Sequence, residues 1–515
     1  MSPTLSATQR QATWIIELDD EAATRSLAAD VATLVGANDL VTLSGDLGAG
    51  KTTFARALIR ILTADPELET PSPTFTLMQV YNAPHYPIVH ADLYRIKSPD
   101  ELAELGWDEA SDGALVIVEW PDRAGDVLLA DRLDVALYTE VGRGPETRTA
   151  VLTGTGAFAE RLTRARAIHA LLDRAGWANA KRSFMLGDAS SRAYERLERP
   201  DGSKAILMIS PPRPDGPPVR YGKPYSAIAR LAENITPFIA IGKGLADHGF
   251  STPDIFAYDL DTGLAVLEDL GTDGVVANGA IIVDRYAQSA AMLAQLHQLD
   301  LPNQLVVDET IPYTIPPYDM DALLIEVELL TDWYVPHIAR HNLSSGAKAN
   351  FVALWKEVLD EIVSAKPTWV LRDYHSPNII WLDEREGLNK VGIIDYQDCV
   401  MGHAAYDLAS LLQDARIDVA DDVELKLLGA YARLRREADP AFNMADFARA
   451  YAILGAQRAT KILGIFARLD KRDHKPHYLA HLPRVEHYLR KGLAHPALAD
   501  LKGWYAEHLP RLVGL

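Results

Sequence analysis

An acid at 373, an amide at 378 and a second acid at 395 interrupt strongly apolar sequence, in "WVLRDYHSPNIIWL" (369–382) and "VGIID" (391–395). A carboxylate can take a hydroxyl proton, and an amide oxygen with a second carboxylate can share one hard cation such as Mg2+, which prefers oxygen donors. More than three hundred residues earlier, "SGDLGAGKTT" (44–53) supplies a second phosphate-handling set. Gly45, Gly48 and Gly50 let the backbone curl so that successive N–H groups meet one anion. Lys51 adds a mobile positive charge, Thr52 a hydroxyl for Mg2+, and Thr53 extends the expected nucleotide contacts. Two sets so far apart in one chain imply two nucleotide-using domains.

Each set needs elements to hold it. Before the glycine-rich turn, the pattern gives a helix capped near Asp19 or Asp20 with Leu27, Val31 and Leu34 on one face, a turn at 36–39, and a strand from Leu40. After it, Phe54, Ala57, Leu58, Ile61 and Leu62 recur at helical spacing, so the loop joins a strand to a helix N-terminus. Two later acids each end a β-like run: Asp92 after "YPIVHAD" and Glu119 after "ALVIVEW". Parallel strands would bring both to the phosphate edge, Asp92 as a metal ligand and Glu119 as the catalytic, water-orienting carboxylate. Surface acids at strand ends are the plainer alternative. The alternating "RTAVLTG" reads as a last edge strand of this α/β, mainly parallel domain.

In the second domain, "FMLGDASSRAYERLERPDGSKAILMIS" is two β-like arms around Asp201-Gly202, a dipeptide favoured in tight hairpins. Ser190, with Ser191 and Gly187, is placed to cover phosphates. "GLAVLEDLG" (263–271) ends a strand at Glu268, either as a hinge offering backbone groups to an adenine or as an ordinary strand end. Asp373, Asn378 and Asp395 have the layout of a kinase catalytic loop and its metal-binding Asp. With the hairpin turn centred between Glu386 and Gly387, Asn378 and Asp395 are directly opposite. His375 orients this loop, touches substrate, or is a satisfied buried histidine. Cys399 packs as a small hydrophobe.

The whole chain is 515 residues with 48% hydrophobic and 24% charged residues, too long for one core and ordinary for a globular protein. Its start lacks a signal-peptide pattern and no run is long and apolar enough to span a membrane, so a cytoplasmic location is expected. One cysteine excludes an internal disulfide. The net charge is −20, and residues 1–150 hold 11 Lys and Arg against 24 Asp and Glu. That acidity argues against direct nucleic-acid binding by the first domain, because phosphate backbones are held by basic patches.

"GDLGAGKTTFARAL", "SPTFTLMQVY" (72–81), "HADLYRI" (90–96), "ELGWDE" (104–109) and "VIVEWPDR" (116–123) resemble the TsaE ATPases, which assist tRNA threonylcarbamoyladenosine modification. The resemblance implies that Lys51, Thr52, Asp92 and Glu119 bind or hydrolyse ATP, that Ser72 to Phe75 form a switch beside the nucleotide, and that the partners are proteins of the TsaB and TsaD type. The domain is expected at 1–163, although the amphipathic helix over 158–176 could close it or open the next.

Residues 164–515 resemble the aminoglycoside phosphotransferase superfamily, and within it the amino-sugar kinases of cell-wall recycling, through "LGDASSRAYERL", "VLEDLG", "LAQLHQLD", "PPYDMDALLIEVELLTDWY", "LRDYHSPNIIWL", "IIDYQDCVMGHAAYDLASLLQDAR" and "GAQRATKILGIFARL". The implied fold is α+β, bilobal and kinase-like, with lobes of about 164–272 and 273–515. The implied chemistry uses ATP and Mg2+ to make a sugar 1-phosphate from N-acetylmuramate or N-acetylglucosamine. Asp373 would be the base, Asn378 and Asp395 the Mg2+ ligands, and Asp407 a buried brace. Alternatives are another small alcohol or an aminoglycoside as acceptor, and a first domain that only binds proteins in a nucleotide-dependent way. Met208 stands where relatives carry a phosphate-anchoring lysine, and Leu371 where many carry histidine. On a helix from about Asp319 to Tyr334, Glu326 shares the face of Leu323, Leu330 and Trp333. Its carboxylate must reach sugar hydroxyls in a pocket or pair internally.

Overall fold

The computed structural model describes residues 10–98, 101–102, 106–139, 144, 146–185, 192–212, 216–308 and 310–514. The chain divides into two compact units between Ala178 and Asn179. Ser190, Ser191 and Gly187 lie outside the described residues.

The first unit runs β1 (Gln11–Leu18), α1 (Glu21–Ala32), β2 (Leu40–Ser44), α2 (Lys51–Thr63), β3 (Met78–Asn82), β4 (Pro87–Asp92), β5 (Leu115–Glu119), β6 (Leu133–Thr139), β7 (Arg148–Thr155) and α3 (Ala157–Arg174). Asp20 caps α1 by accepting the Ala23 N–H at 2.8 Å, one of the four donors a helix start leaves open. The seven strands lie in the order β1-β7-β6-β2-β5-β4-β3. The central four, β6, β2, β5 and β4, are parallel, and antiparallel strands flank them on both sides. Buried on both faces, β2 and β5 read as the continuous apolar runs expected of central parallel strands.

Two expectations are corrected in this unit. β7 is not an edge strand: it lies between β6 and β1, and β1 forms the edge. In "QATWIIEL" Ala12, Trp14, Ile16 and Leu18 share the inward face, Trp14 and Leu18 buried and Ala12 and Ile16 packed against the core, and pairing with β7 completes the strand. The boundary sketched at 163/164 would cut α3, whose Phe158 and Leu162 pack into this unit's core and whose Ile168, Leu171 and Leu172 are also buried.

The second unit begins with a five-stranded antiparallel sheet of β8 (Lys181–Met185), β9 (Ala193–Glu198), β10 (Lys204–Ile209), β11 (Ile255–Asp259) and β12 (Leu264–Glu268), in the order β11-β12-β10-β9-β8. Gly202, at φ 83°, makes the β9–β10 turn that a β-carbon would strain. α4 (Thr236–Asp247) lies between β10 and β11, and the later chain is mainly helical, beginning with α5 (Val283–Leu296).

α6 (Met320–Leu329) starts at the Asp319 cap and passes into a π-helical segment, Leu330–Ala339. A single α-helix to Tyr334 was expected. Pro336 has no N–H to give a carbonyl one turn back, so an i→i−4 ladder cannot run through it. Further on come α7 (Ser345–Ser364), the short strands β13 (Thr368–Val370), β14 (Ile379–Trp381), β15 (Val391–Ile393) and β16 (Val400–Gly402), then α8 (Ala405–Leu412), α9 (Asp421–Ala438) and α10 (Met444–Lys471). At Gly464 of α10 a β-carbon would sit 2.3 Å from the Leu329 carbonyl carbon, so glycine lets α10 lie directly against the end of α6. That contact fixes the face of α10 that reaches the site below.

Candidate functional site

Parallel pairing builds the phosphate edge of the first unit. β5 pairs with β2 and β4 in registers that set Glu119 beside Leu43 and Asp92, so both acids reach the strand ends where the Gly45–Gly50 turn begins. Gly45 is at φ 133°, where a β-carbon would lie 2.2 Å from the Leu137 carbonyl oxygen, and Gly50 enters α2 at φ 104°. Only glycine fits this turn.

The side chains of this edge converge. Thr52 Oγ1 donates to Glu119 Oε2 at 3.0 Å, and His90 Nε2 lies 3.1 Å from Glu119 Oε1. Asp92 Oδ2 accepts from Thr74 Oγ1 at 2.7 Å and from Ser72 Oγ at 3.1 Å, which ties the "SPTF" stretch to the expected metal ligand. Lys51 donates to the Gly45 and Asp46 carbonyls at 2.8 and 2.9 Å and stands 3.9 Å from the Trp120 ring centroid. Burial holds the Lys51 amine below the ordinary lysine value, opposed by Glu119, Asp92 and Asp46. His90 and Trp120 were not read from sequence. His90 faces the same side as Asp92, two residues on along β4, and that spacing was the available signal.

In the second unit Asp373, His375, Asn378 and Asp395 line one cleft of about 390 Å³. The apolar arms hold the loop: Val370, Leu371 and Ile379 are fully buried, each worth about 1.5–3 kcal/mol relative to exposure. Asp407 accepts the Leu371 and Arg372 N–H groups at 2.7 and 2.9 Å. Ser410 Oγ donates to the Arg372 carbonyl at 3.2 Å. Arg372 and Asp395 take left-handed φ of 66° and 58°, uncommon for residues with a β-carbon, and these dense contacts compensate.

The hairpin register differs from expectation by one residue. Ile379 pairs with Ile393, so Asn378 faces Ile394 and not Asp395. The turn holds a 3-10 segment, Gly387–Lys390, which shifts its centre to Glu386. Asp395 nevertheless meets Asn378, with Asn378 Nδ2 3.4 Å from Asp395 Oδ2. Asn378 Nδ2 also donates to the Asp373 carbonyl at 2.9 Å, which points the amide oxygen the other way. The amide nitrogen is therefore the atom facing Asp395; with the amide turned over, its oxygen and the Asp395 carboxylate would suit a hard divalent cation, which needs few protein ligands when phosphates complete its shell. Among the described residues no cluster of three His, Cys, Asp or Glu forms a cage by itself.

Four cations share the cleft: Arg192, Arg416, Arg458 and Lys461. Arg192 Nη1 donates to Asp395 Oδ1 at 2.9 Å, as does Gln397 Nε2. Burial pushes the Asp373 carboxyl up, but Lys461, His375, Arg372 and Arg458 outweigh it and leave Asp373 below the usual carboxylate value. Burial holds His375 down to about 4, and Arg416 Nη1 lies 3.3 Å from its Nε2. The cations come from the residue before β9, the loop after α8, and α10, so only tertiary structure brings them together. Helical spacing within "QRATKILGIF" was the one sequence signal, since Arg458, Lys461, Ile462 and Ile465 share a face.

Other expected residues sit differently. Glu326 is fully buried and paired internally: with Arg372, with Lys461 at 2.9 Å, with Tyr318 at 2.5 Å and with Gln457 at 3.1 Å. This corrects its reading as a sugar contact, because every oxygen is satisfied inside the protein. Glu268 ends β12 with its carboxylate bound by Arg385 at 3.1 and 3.2 Å, and its N–H bonds the Asp254 carbonyl. Met208 is fully buried in the core, where a charged amine would have no water. Cys399 is buried, and burial raises its thiol.

Comparison with known proteins follows this division. Residues 18–148 match the family model described as "Threonylcarbamoyl adenosine biosynthesis protein TsaE", and residues 182–442 match "Phosphotransferase enzyme family". An N-acetylmuramate/N-acetylglucosamine kinase of Caulobacter vibrioides is 36% identical over 353 residues, 66% of this chain and 95% of that protein. A protein of the same name from Pseudomonas aeruginosa is 29% identical over 340 residues, 63% of this chain and 89% of that one. The tRNA threonylcarbamoyladenosine biosynthesis protein TsaE of Rickettsia conorii is 42% identical over 120 residues, 23% of this chain and 68% of that protein.

Proposed function

Because the chain belongs to the TsaE family in its first unit and to the phosphotransferase enzyme family in its second, we propose a bifunctional protein. The second unit phosphorylates the anomeric hydroxyl of N-acetylmuramate or N-acetylglucosamine with ATP, releasing the sugar 1-phosphate for cell-wall recycling. The first unit hydrolyses ATP in support of tRNA threonylcarbamoyladenosine modification, through protein partners of the TsaB and TsaD type and in the cytoplasm.

The observation that carries the kinase reading is one cleft lined by Asp373, Asn378 and Asp395 together. Asp373, kept ionised by the cations around it, accepts the proton of the acceptor hydroxyl as that oxygen attacks the terminal phosphorus. Asn378 and Asp395 would hold Mg2+, which when bound neutralises phosphate charge. Arg192, beside Asp395, supplies the phosphate anchor that Met208 cannot. In the first unit Lys51 and the glycine turn cradle phosphates, Thr52 and Asp92 would hold the metal, and Glu119 orients the attacking water.

The same cleft sets Arg192, Arg416, Arg458 and Lys461 against Asp373, Asp395 and Asp398, a balance that favours an anionic acceptor over a cationic aminoglycoside. The test is a panel of acceptors with labelled ATP on the full chain. Phosphorylation of the two amino sugars that D373N abolishes and K51A spares is expected; activity that survives D373N and is lost in K51A would overturn the division of labour.

A further inference from the structure

The cationic wall of the kinase cleft is more than the catalytic loop requires. Arg192 is matched by Asp395 at 2.9 Å and Lys461 by Glu326 at 2.9 Å. Arg458 is 6% exposed and lines the cleft, and its described hydrogen bond goes to the uncharged Gln413 carbonyl at 3.3 Å. No carboxylate lies within ion-pair distance of it among the described residues. A buried guanidinium without a counter-ion is costly unless a ligand supplies one.

A second group in the same wall also lacks a partner. His375 Nε2 lies 3.3 Å from Arg416 Nη1, and a guanidinium can only donate, so Nε2 is the acceptor and the neutral ring carries its proton on Nδ1. Nδ1 is buried and has no hydrogen-bond partner. Nδ1 is closed off from the open cleft, so Arg458 is the group of this wall that offers a ligand an unmatched charge. Arg458 and Asp373 line the same cleft, so an acceptor whose hydroxyl meets Asp373 has Arg458 in the wall around it.

We propose that Arg458 binds a carboxylate on the acceptor and so sets the preference for an acidic sugar over its neutral counterpart. The inference rests on the amino-sugar kinase reading and deepens it. N-Acetylmuramate is N-acetylglucosamine with a lactyl ether that ends in a carboxylate, so the two sugars differ by the group this wall would read. On α10, Ile462, Ile465 and Phe466 continue the cleft beyond the cations and offer an apolar surface to the rest of the sugar.

The experiment compares kcat/KM for the two sugars in full-length wild-type protein, R458Q and R458K, together with the lactyl amide of N-acetylmuramate on the wild type. The acid-to-neutral ratio should fall about tenfold or more in R458Q, mainly through KM, and R458K should recover part of it. That size corresponds to one charge-assisted hydrogen bond. The lactyl amide should lose a similar factor on the wild type, a readout independent of whether the variants fold. An unchanged ratio in R458Q, or an amide as good as the acid, overturns the carboxylate site alone. A wild-type chain that phosphorylates neither sugar overturns the kinase reading and this site with it.

Discussion

Asn378 Nδ2 lies 3.4 Å from Asp395 Oδ2 although the hairpin pairs neither with the other. The left-handed turn at Asp395 returns its carboxylate to the amide after the strand has ended one residue short. Geometry set by that single backbone angle should be sensitive to chemistry and insensitive to gross stability. Asp395→Asn is expected to cut sugar phosphorylation at least about a hundredfold, in the range of an electrostatic group lost from a transition state, while the thermal midpoint moves only a few degrees. Single-turnover assays across a Mg2+ titration check it, and a loss fully restored by excess Mg2+ would reduce Asp395 to an affinity role.

Arg192 makes a separable forecast. If it anchors ATP phosphates beside Asp395, Arg192→Ala should raise the KM for ATP about tenfold or more with a smaller change in the KM for sugar. A rise confined to the sugar KM would place Arg192 on the acceptor side of the cleft. Arg192→Lys should recover only part, because a lysine keeps charge without the bidentate fork.

Much of both sites was legible because local chemistry announced it. The glycine turn needs positive φ and a helix start, so its strand–turn–helix setting follows from "LSGDLGAGKTTFARAL" alone. Asp92 and Glu119 end apolar runs, and parallel pairing carries them to one edge. Glu326 was not legible in the same way: a carboxylate on an apolar helix face fits a pocket or an ion pair equally well, and its partners Arg372 and Lys461 lie 46 and 135 positions away in the chain. The hairpin register slipped for a smaller reason, a 3-10 turn at Gly387–Lys390 that strand spacing does not reveal. Arg192, Arg416 and Arg458 meet only in three dimensions, so sequence offers their charge and not their company.

For the first unit, the 3.0 Å bond from Thr52 to Glu119 couples the expected metal hydroxyl to the expected water-orienting acid. Glu119→Gln should keep nucleotide binding within about threefold and lower ATP hydrolysis at least about a hundredfold, since it preserves shape and removes charge. Lys51→Ala should lose binding itself. Fluorescent-nucleotide titration and phosphate release, measured in a D373N background to silence the second unit, separate the two outcomes. Equal loss of binding in both variants would make Glu119 a structural brace for the loop.

Glu326 carries the last expectation, on stability. Burial raises its carboxyl, but Lys461, Arg372 and the Tyr318 hydroxyl outweigh that and leave it below its ordinary 4.5. A carboxylate with a lowered folded value contributes stability that is complete above the unfolded value and is lost as pH falls through the folded one. Glu326→Gln leaves Arg372 and Lys461 buried without their shared counter-charge. The cost expected near neutral pH is about 3–5 kcal/mol, the range for breaking a buried pair from one side. Below pH 4.5 the gap between wild type and variant should narrow, because the wild type then begins to lose the same charge. Denaturant-dependent hydrogen exchange of peptides from α6 and the 369–372 stretch reads this unit apart from the first. A gap that widens on acidification would mean that Glu326 is held protonated, and that the two cations are balanced by another group.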